Sequence, residues 1–171
     1  MEIYTIGHSN LTIERFVEML VDNGIRALVD VRSAPYSQYT PHFNRDLLSK
    51  SLEAHGIIYA FAGEYLGGRP KDPTCYRGGV VPSGNAKGNY LEAVDYAEVA
   101  KRPWYKKGIS RLLEIAEERP TAIMCSEEDP AHCHRQHLIT QTLIEMGVTV
   151  RHIRSHGLEE ATEQPKQMSL F

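Results

Sequence analysis

Thr121-Ala-Ile-Met-Cys-Ser-Glu-Glu-Asp-Pro-Ala-His-Cys-His-Arg135 runs from an apolar segment, through a cysteine and an acidic turn, into a helix start crowded with reactive side chains. Thr121 to Cys125 has the length and apolarity of a short buried strand. Asp129 is a good helix N-cap, and Pro130 suits the first helical position, where its missing N–H is no loss. The free amides and dipole of such a helix point back at Cys125, where an anion would be favoured. In an open parallel sheet, ligands gather beyond the carboxyl ends of the strands. That is where this geometry places Cys125, Glu127, Glu128, His134 and Arg135.

Working outward, short β runs alternate with helical periodicity. Strands are predicted at Glu2 to Ile6, Ala27 to Val31, Ile57 to Phe61, Thr121 to Cys125 and Thr149 to Ile153. Thr12 opens a helix with Ile13, Phe16, Val17, Leu20 and Val21 on one stripe, and Gly24 closes it. Asn44 caps a helix carrying Leu47, Leu48 and Leu52, which Gly56 ends. Tyr90 to Arg119 reads as two helices broken at Pro103, because proline fits a helix start better than its interior. A last helix is expected from Pro130 to Met146, with Leu138, Ile139, Thr142, Leu143 and Met146 inward and Gly147 stopping it. The pattern predicts an α/β fold: a single three-layer domain over residues 1–157, with a mainly parallel sheet of about five strands and helices on both faces. Residues 158–171 read as a flexible tail.

With 171 residues, 42% hydrophobic and 24% charged, the chain has the composition of one ordinary globular domain. No apolar run approaches the roughly twenty residues needed to span a bilayer, and Met1 leads straight into a strand, so no membrane partner is expected and the cytoplasm is the expected location. Cys75, Cys125 and Cys133 are odd in number and lack the spacing of a disulfide framework, so free thiols are expected. A formal net charge of −3 means that any contact with nucleic acid must come from local basic surface.

Such surface exists in two places. Gly67 to Gly88 is glycine-rich and sets Arg69, Lys71, Arg77 and Lys87 against one acid, Asp72. A loop this long in a compact domain is usually functional or disordered. Lys101 to Arg111 carries five positive charges and no negative one, with Trp104 and Tyr105 among them. Lys101, Arg102, Lys106 and Lys107 fit phosphates and the rings fit bases, although a solvated helix junction with Trp104 as core filler is the plainer reading. The chain ends Gln167-Met-Ser-Leu-Phe171, whose large apolar residues are better explained by docking into another protein than by folding.

Thr5-Ile-Gly-His-Ser9, Asp30-Val-Arg32, Tyr65-Leu-Gly-Gly68 and the Cys125-x-Glu-x-x-Pro-x-x-Cys-His-Arg135 pattern together resemble the prokaryotic domain-of-unknown-function family four-eighty-eight, over roughly Met1 to His156. The resemblance implies a fold and a site rather than a reaction. Separately, Gln167 to Phe171 resembles the peptide by which bacterial polymerases and repair proteins bind the DNA sliding clamp. In that resemblance Gln167 makes polar contacts, Leu170 and Phe171 fill an apolar cleft, and Met168 stands where leucine is commoner.

Four readings of the cluster at Cys125 stay open. Cys125 is a nucleophile or sulfur carrier if the helix start and Arg135 lower its pKa, against the opposing Glu127 and Glu128; Asp30-Val-Arg32 also resembles the strand end of rhodanese domains. Cys125, Cys133 and His134, with His8 or His137, have the ligand chemistry of zinc, but neighbours on a helix project about a hundred degrees apart, so no metal is assigned. Arg32, Arg135 and His8 suit a phosphate, with Glu127 or Glu128 as base, His8 or His134 moving protons, and Tyr36, Tyr39 and Phe43 stacking a base. Lastly, Arg135 is a structural ion-pair partner of Asp30 or Glu127 and nothing reacts. The leading expectation is a clamp-recruited DNA-maintenance protein that processes nucleic acid by hydrolysis or elimination, with no cofactor identified. A non-catalytic adaptor and a rhodanese-like cysteine enzyme are the alternatives.

Overall fold

The computed structural model describes residues 1–83 and 89–165. Among the described residues six strands form one sheet in the order β3-β2-β4-β1-β5-β6: β1 (Glu2–Gly7), β2 (Ala27–Asp30), β3 (Ile58–Phe61), β4 (Thr121–Cys125), β5 (Thr149–Arg154) and β6 (Gly157–Glu160). All neighbours pair in parallel except β5 and β6, which form a hairpin. The sheet thus has one strand more than periodicity predicts. Its β6 lies where the tail was expected to begin, and it carries a single large apolar residue, the exposed Leu158, so alternation could not announce it. Arg154 ties the hairpin by donating to Glu159 at 2.9 Å.

Period-two alternation divides the core between the two faces of the sheet. Ile3, Val29, Val31, Ile123 and Val150 pack on one side, against Leu112 and Ile109 of the helix α6 (Pro103–Glu118) and against Leu138, Ile139 and Leu143. Ile6, Leu28, Ala122, Met124 and Ile153 pack on the other, against Phe16 and Leu20 of α1 (Ile13–Asp22) and Leu48 and Leu52 of α2 (Arg45–Glu53). The chain is therefore an α/β domain with a largely parallel sheet and helices on both faces. None of the described helices is long and apolar enough to cross a membrane. Val21, Leu47 and Met146, expected inward, are exposed.

Two helical predictions need correction. Tyr90 to Arg119 holds three helices rather than two, α4 (Tyr90–Ala93), α5 (Tyr96–Lys101) and α6, because Val94 leaves the helix to bridge to Tyr76 and Asp95 caps the next one. Pro130 to Met146 is not one helix. A 3-10 turn over Pro130–His132, capped by the Asp129 carboxylate, ends at Cys133, which is extended with φ −136° and ψ 142°. A π-helical stretch over Arg135–Thr140 then passes into α7 (Gln141–Glu145). Single π turns inside helices concentrate at functional sites.

The connection leaving β1 crosses to the α1 face, whereas the connection leaving β4 crosses to the opposite face. Adjacent parallel strands whose connections diverge open a crevice at their carboxyl ends. Gly7 is paired with Cys125 there, and a methyl on Gly7 would overlap the backbone carbonyl of Glu127. Only glycine permits that approach.

Candidate functional site

The crevice holds a cavity of about 430 Å³, walled by the ends of three strands: His8 after β1, Arg32 after β2, and Cys125 at the end of β4. Its floor is knitted by backbone bonds, His8 N–H to the Cys125 carbonyl at 3.0 Å and Ser9 N–H to the Ser126 carbonyl at 2.8 Å. Ser9 adopts φ 43°, rare for a residue with a Cβ, and so turns its carbonyl to accept from His8 Nδ1 at 2.8 Å. His8 is therefore the Nδ1–H tautomer, and its Nε2 accepts from Arg32 Nη1 at 3.3 Å. The ring stacks on Phe43 at 4.4 Å, and burial pushes its pKa down, so it stays neutral at physiological pH.

Arg32 lines the cavity, but its guanidinium is engaged: Nε and Nη2 donate to Asp30 at 2.9 and 2.7 Å, and Nη2 also donates to the Phe43 carbonyl at 2.8 Å. Tyr59 donates to the same carboxylate at 2.7 Å. A guanidinium neutralised in this way orients His8 more than it attracts phosphate. Arg135 departs further from its predicted role as a phosphate ligand. It is fully buried, does not line the cavity, and donates to the backbone carbonyls of Glu127 and Glu128, the latter at 2.7 Å. It shapes the acidic turn from behind. Its expected ion pairs with Asp30 or Glu127 are likewise replaced, by these two carbonyls.

Of the two candidate bases only Glu127 faces the cavity, exposed at its rim. Glu128 is held by Arg154 Nε and Nη2 at 2.8 and 2.9 Å, and this partner lowers its pKa. It belongs to the β5–β6 hairpin, not to the site.

Cys125, Cys133 and His134 converge on the cavity, with ligand atoms all within 4.8 Å of one another. His134 Nε2 lies 3.0 Å from the Leu66 carbonyl, which can only accept, so Nε2 carries the proton and Nδ1 presents a lone pair. That Nδ1 lies 3.8 Å from Cys125 Sγ and 3.7 Å from Cys133 Sγ. The hundred-degree divergence expected of helical neighbours does not arise, because Cys133 is extended and only His134 has begun the helix. The Cys133 thiol, hydrogen-bonded to Cys125, holds the Cys125 thiol well below its usual range, while burial pushes Cys133 up.

A second cavity of about 710 Å³ adjoins the first and shares Ser33, Tyr36 and Arg69 with it. Arg45, Lys71, Phe61 and Trp104 line it as well. Arg69 lies over the Tyr90 ring at 4.4 Å and Arg45 over Phe61 at 5.2 Å. The predicted Arg69, Lys71 and Trp104 are thus brought together and joined by Arg45 and Phe61, while Tyr90 and Tyr96 line the first cavity; no local pattern marks these four residues. The Tyr96 hydroxyl, buried at the wall of the first cavity, has no partner among the described residues.

The rest of the predicted nucleic-acid surface is not assembled. Tyr105 is buried and its hydroxyl is bonded to Thr142 at 2.8 Å, because the helix turns that face inward. Lys101 pairs with Glu98 at 2.5 Å, and Arg102 with Asp72 at 3.2 Å and Glu98 at 3.5 Å. Lys107 sits 5.9 Å from the Tyr65 ring centre, Lys106 is exposed, and Arg77 is exposed on the loop without lining either cavity. Phe43, expected to stack a base, is fully buried, while Tyr36 and Tyr39 are exposed. Gln167, Met168, Leu170 and Phe171 lie outside the described residues, as does Lys87.

The family model described as "Domain of unknown function DUF488" matches residues 12–141, and the chain belongs to that family. No curated protein and no solved structure matches the chain.

Proposed function

We propose that this member of the DUF488 family processes nucleic acid hydrolytically, with the reacting group seated over Cys125 and His134 and the adjoining strand laid along the second cavity. The observation that supports this reading is the continuity of the two cavities through Ser33, Tyr36 and Arg69. The outer one gathers three cations, Arg45, Arg69 and Lys71, and three rings, Tyr36, Phe61 and Trp104, in a wall that also holds Glu64 and Asp72. Cations neutralise phosphates and rings stack bases without demanding a sequence, which is how single strands are held. In the inner cavity Arg69 contacts the phosphate, the Tyr96 hydroxyl donates to the ligand, and Glu127 is the general base. Gln167 to Phe171 recruits the protein to the bacterial sliding clamp, Leu170 and Phe171 acting as anchors.

The test is fluorescence anisotropy of a short labelled single strand titrated with the full chain. The reading predicts binding that weakens with salt at a slope of about −2, for roughly three neutralised phosphates. Combined replacement of Arg45, Arg69 and Lys71 by alanine weakens binding at least about tenfold, whereas Lys106→Ala leaves it unchanged. Equal binding by the triple variant would overturn the strand path. Glu127→Gln keeps binding and loses turnover; a wild-type protein that binds but never cleaves is an adaptor, and the hydrolytic part fails.

A further inference from the structure

We propose that Cys125, Cys133 and His134 bind one zinc ion, with a fourth position open to the inner cavity. A tetrahedral zinc with Zn–S near 2.3 Å and Zn–N near 2.0 Å sets its sulfur and nitrogen ligands about 3.5 Å apart. The two S···N separations here are 3.8 and 3.7 Å, so each of these pairs reaches that value by moving a few tenths of an ångström, and the two sulfurs lie within 4.8 Å of each other. Two cysteines and a histidine are the N and S set that zinc favours, and such a trio with one open position is typical of zinc that acts on substrate.

The surroundings are those of a metal centre. His134 donates its distal N–H to the Leu66 carbonyl, which fixes the tautomer that aims Nδ1 at the sulfurs. Cys133 Sγ accepts the Arg135 backbone N–H at 3.5 Å, a bond that supports a thiolate ligand. Gly68 backs the imidazole so closely that a Cβ there would lie 2.7 Å from the ring. All three ligands line the cavity that Ser126 and Glu127 also line, so a fourth ligand would come from that cavity. The use of a water at that position as the hydrolytic nucleophile rests on the function proposed above; the metal site rests on its own geometry.

The experiment is to strip the full chain with chelator, add zinc or cobalt, and measure bound metal and the cobalt spectrum. The expected result is one metal per chain and the visible bands of tetrahedral cobalt with thiolate charge transfer. Cys125→Ser, Cys133→Ser and His134→Ala each lower affinity at least about tenfold, while Cys75→Ser, which alters a buried thiol outside the cluster, leaves it intact. Because a cluster variant can fail to fold, wild-type protein is also alkylated with and without zinc. Zinc must protect Cys125 and Cys133 together, and chelator must restore their reactivity. Substoichiometric metal, an octahedral spectrum or unprotected thiols would overturn the proposal. None of these readouts involves nucleic acid, so a metal-loaded chain that binds no strand refutes the proposed function and leaves the zinc site standing.

Discussion

Arg135→Met removes the guanidinium that holds the turn after β4 while keeping an unbranched apolar stem of similar length. In the native fold Arg135 is fully buried and two of its nitrogens donate to the carbonyls of Glu127 and Glu128. Each carbonyl left without a partner costs about 1–3 kcal/mol, and the loss is partly offset because a buried charge disappears with it. The expected destabilisation is about 2–4 kcal/mol, a large share of the roughly 5–15 kcal/mol typical of a domain. At about 2–4 °C per kcal/mol for a chain of this size, the midpoint falls by on the order of 10 °C. Urea denaturation followed by circular dichroism gives the free energy, and an unchanged slope would confirm that both proteins unfold alike. Arg135→Lys, which can reach only one carbonyl, should fall between the two. A methionine variant within about 0.5 kcal/mol of wild type would refute the role assigned to this side chain, since that is the range of neutral surface changes.

Three further outcomes are expected. Gly68→Ala drives a methyl into the His134 ring and should weaken zinc binding about 10- to 100-fold with little change in overall secondary structure; unchanged affinity would show that the ring does not need its present position. Burial pushes the pKa of His152 from 6.5 down to about 4, and the neutral ring is satisfied by Thr5 at 2.7 Å and Gln136 at 3.0 Å. The unfolded chain therefore binds the extra proton first, and stability falls as pH drops from 6.5 towards 4, by up to about 3 kcal/mol. His152→Gln should flatten that part of the pH profile in denaturation experiments, and an identical profile would contradict it. Finally, a synthetic peptide of Glu163 to Phe171 should bind purified sliding clamp, with Leu170→Ala and Phe171→Ala together weakening it at least about tenfold; an inert native peptide would remove the replication context.

What was legible in the chain was whatever local periodicity controls. β4 follows from an apolar run and stands as expected, whereas the Asp129-Pro130 cap that follows from capping chemistry opens a short 3-10 turn in place of the long helix. The convergence of His8, Arg32 and Cys125 followed from placing each at a strand end. Roles decided by distant partners were not legible. Arg135 looked like a phosphate ligand because a sequence displays its charge and hides the two backbone carbonyls that accept from it. Cys133 and His134 looked incompatible as ligands because Pro130 suggests a continuous helix, whereas the chain breaks it at Cys133 to bring both sulfurs onto one histidine. Nothing local marks Arg45 and Phe61, which come from α2 and β3 and meet Arg69 only in three dimensions. Tyr105 stands in the middle of a basic run, which suggests surface, but the amphipathic pattern of α6 turns it into the core.

X-ray absorption at the zinc edge of the metal-loaded chain tests the central claim most directly. Two sulfurs near 2.3 Å, one imidazole nitrogen near 2.0 Å and one further light atom are expected, the last being water at the cavity-facing position. A shell of oxygens alone, or one with a single sulfur, would mean that the ends of these strands do not build the reactive centre assigned to them.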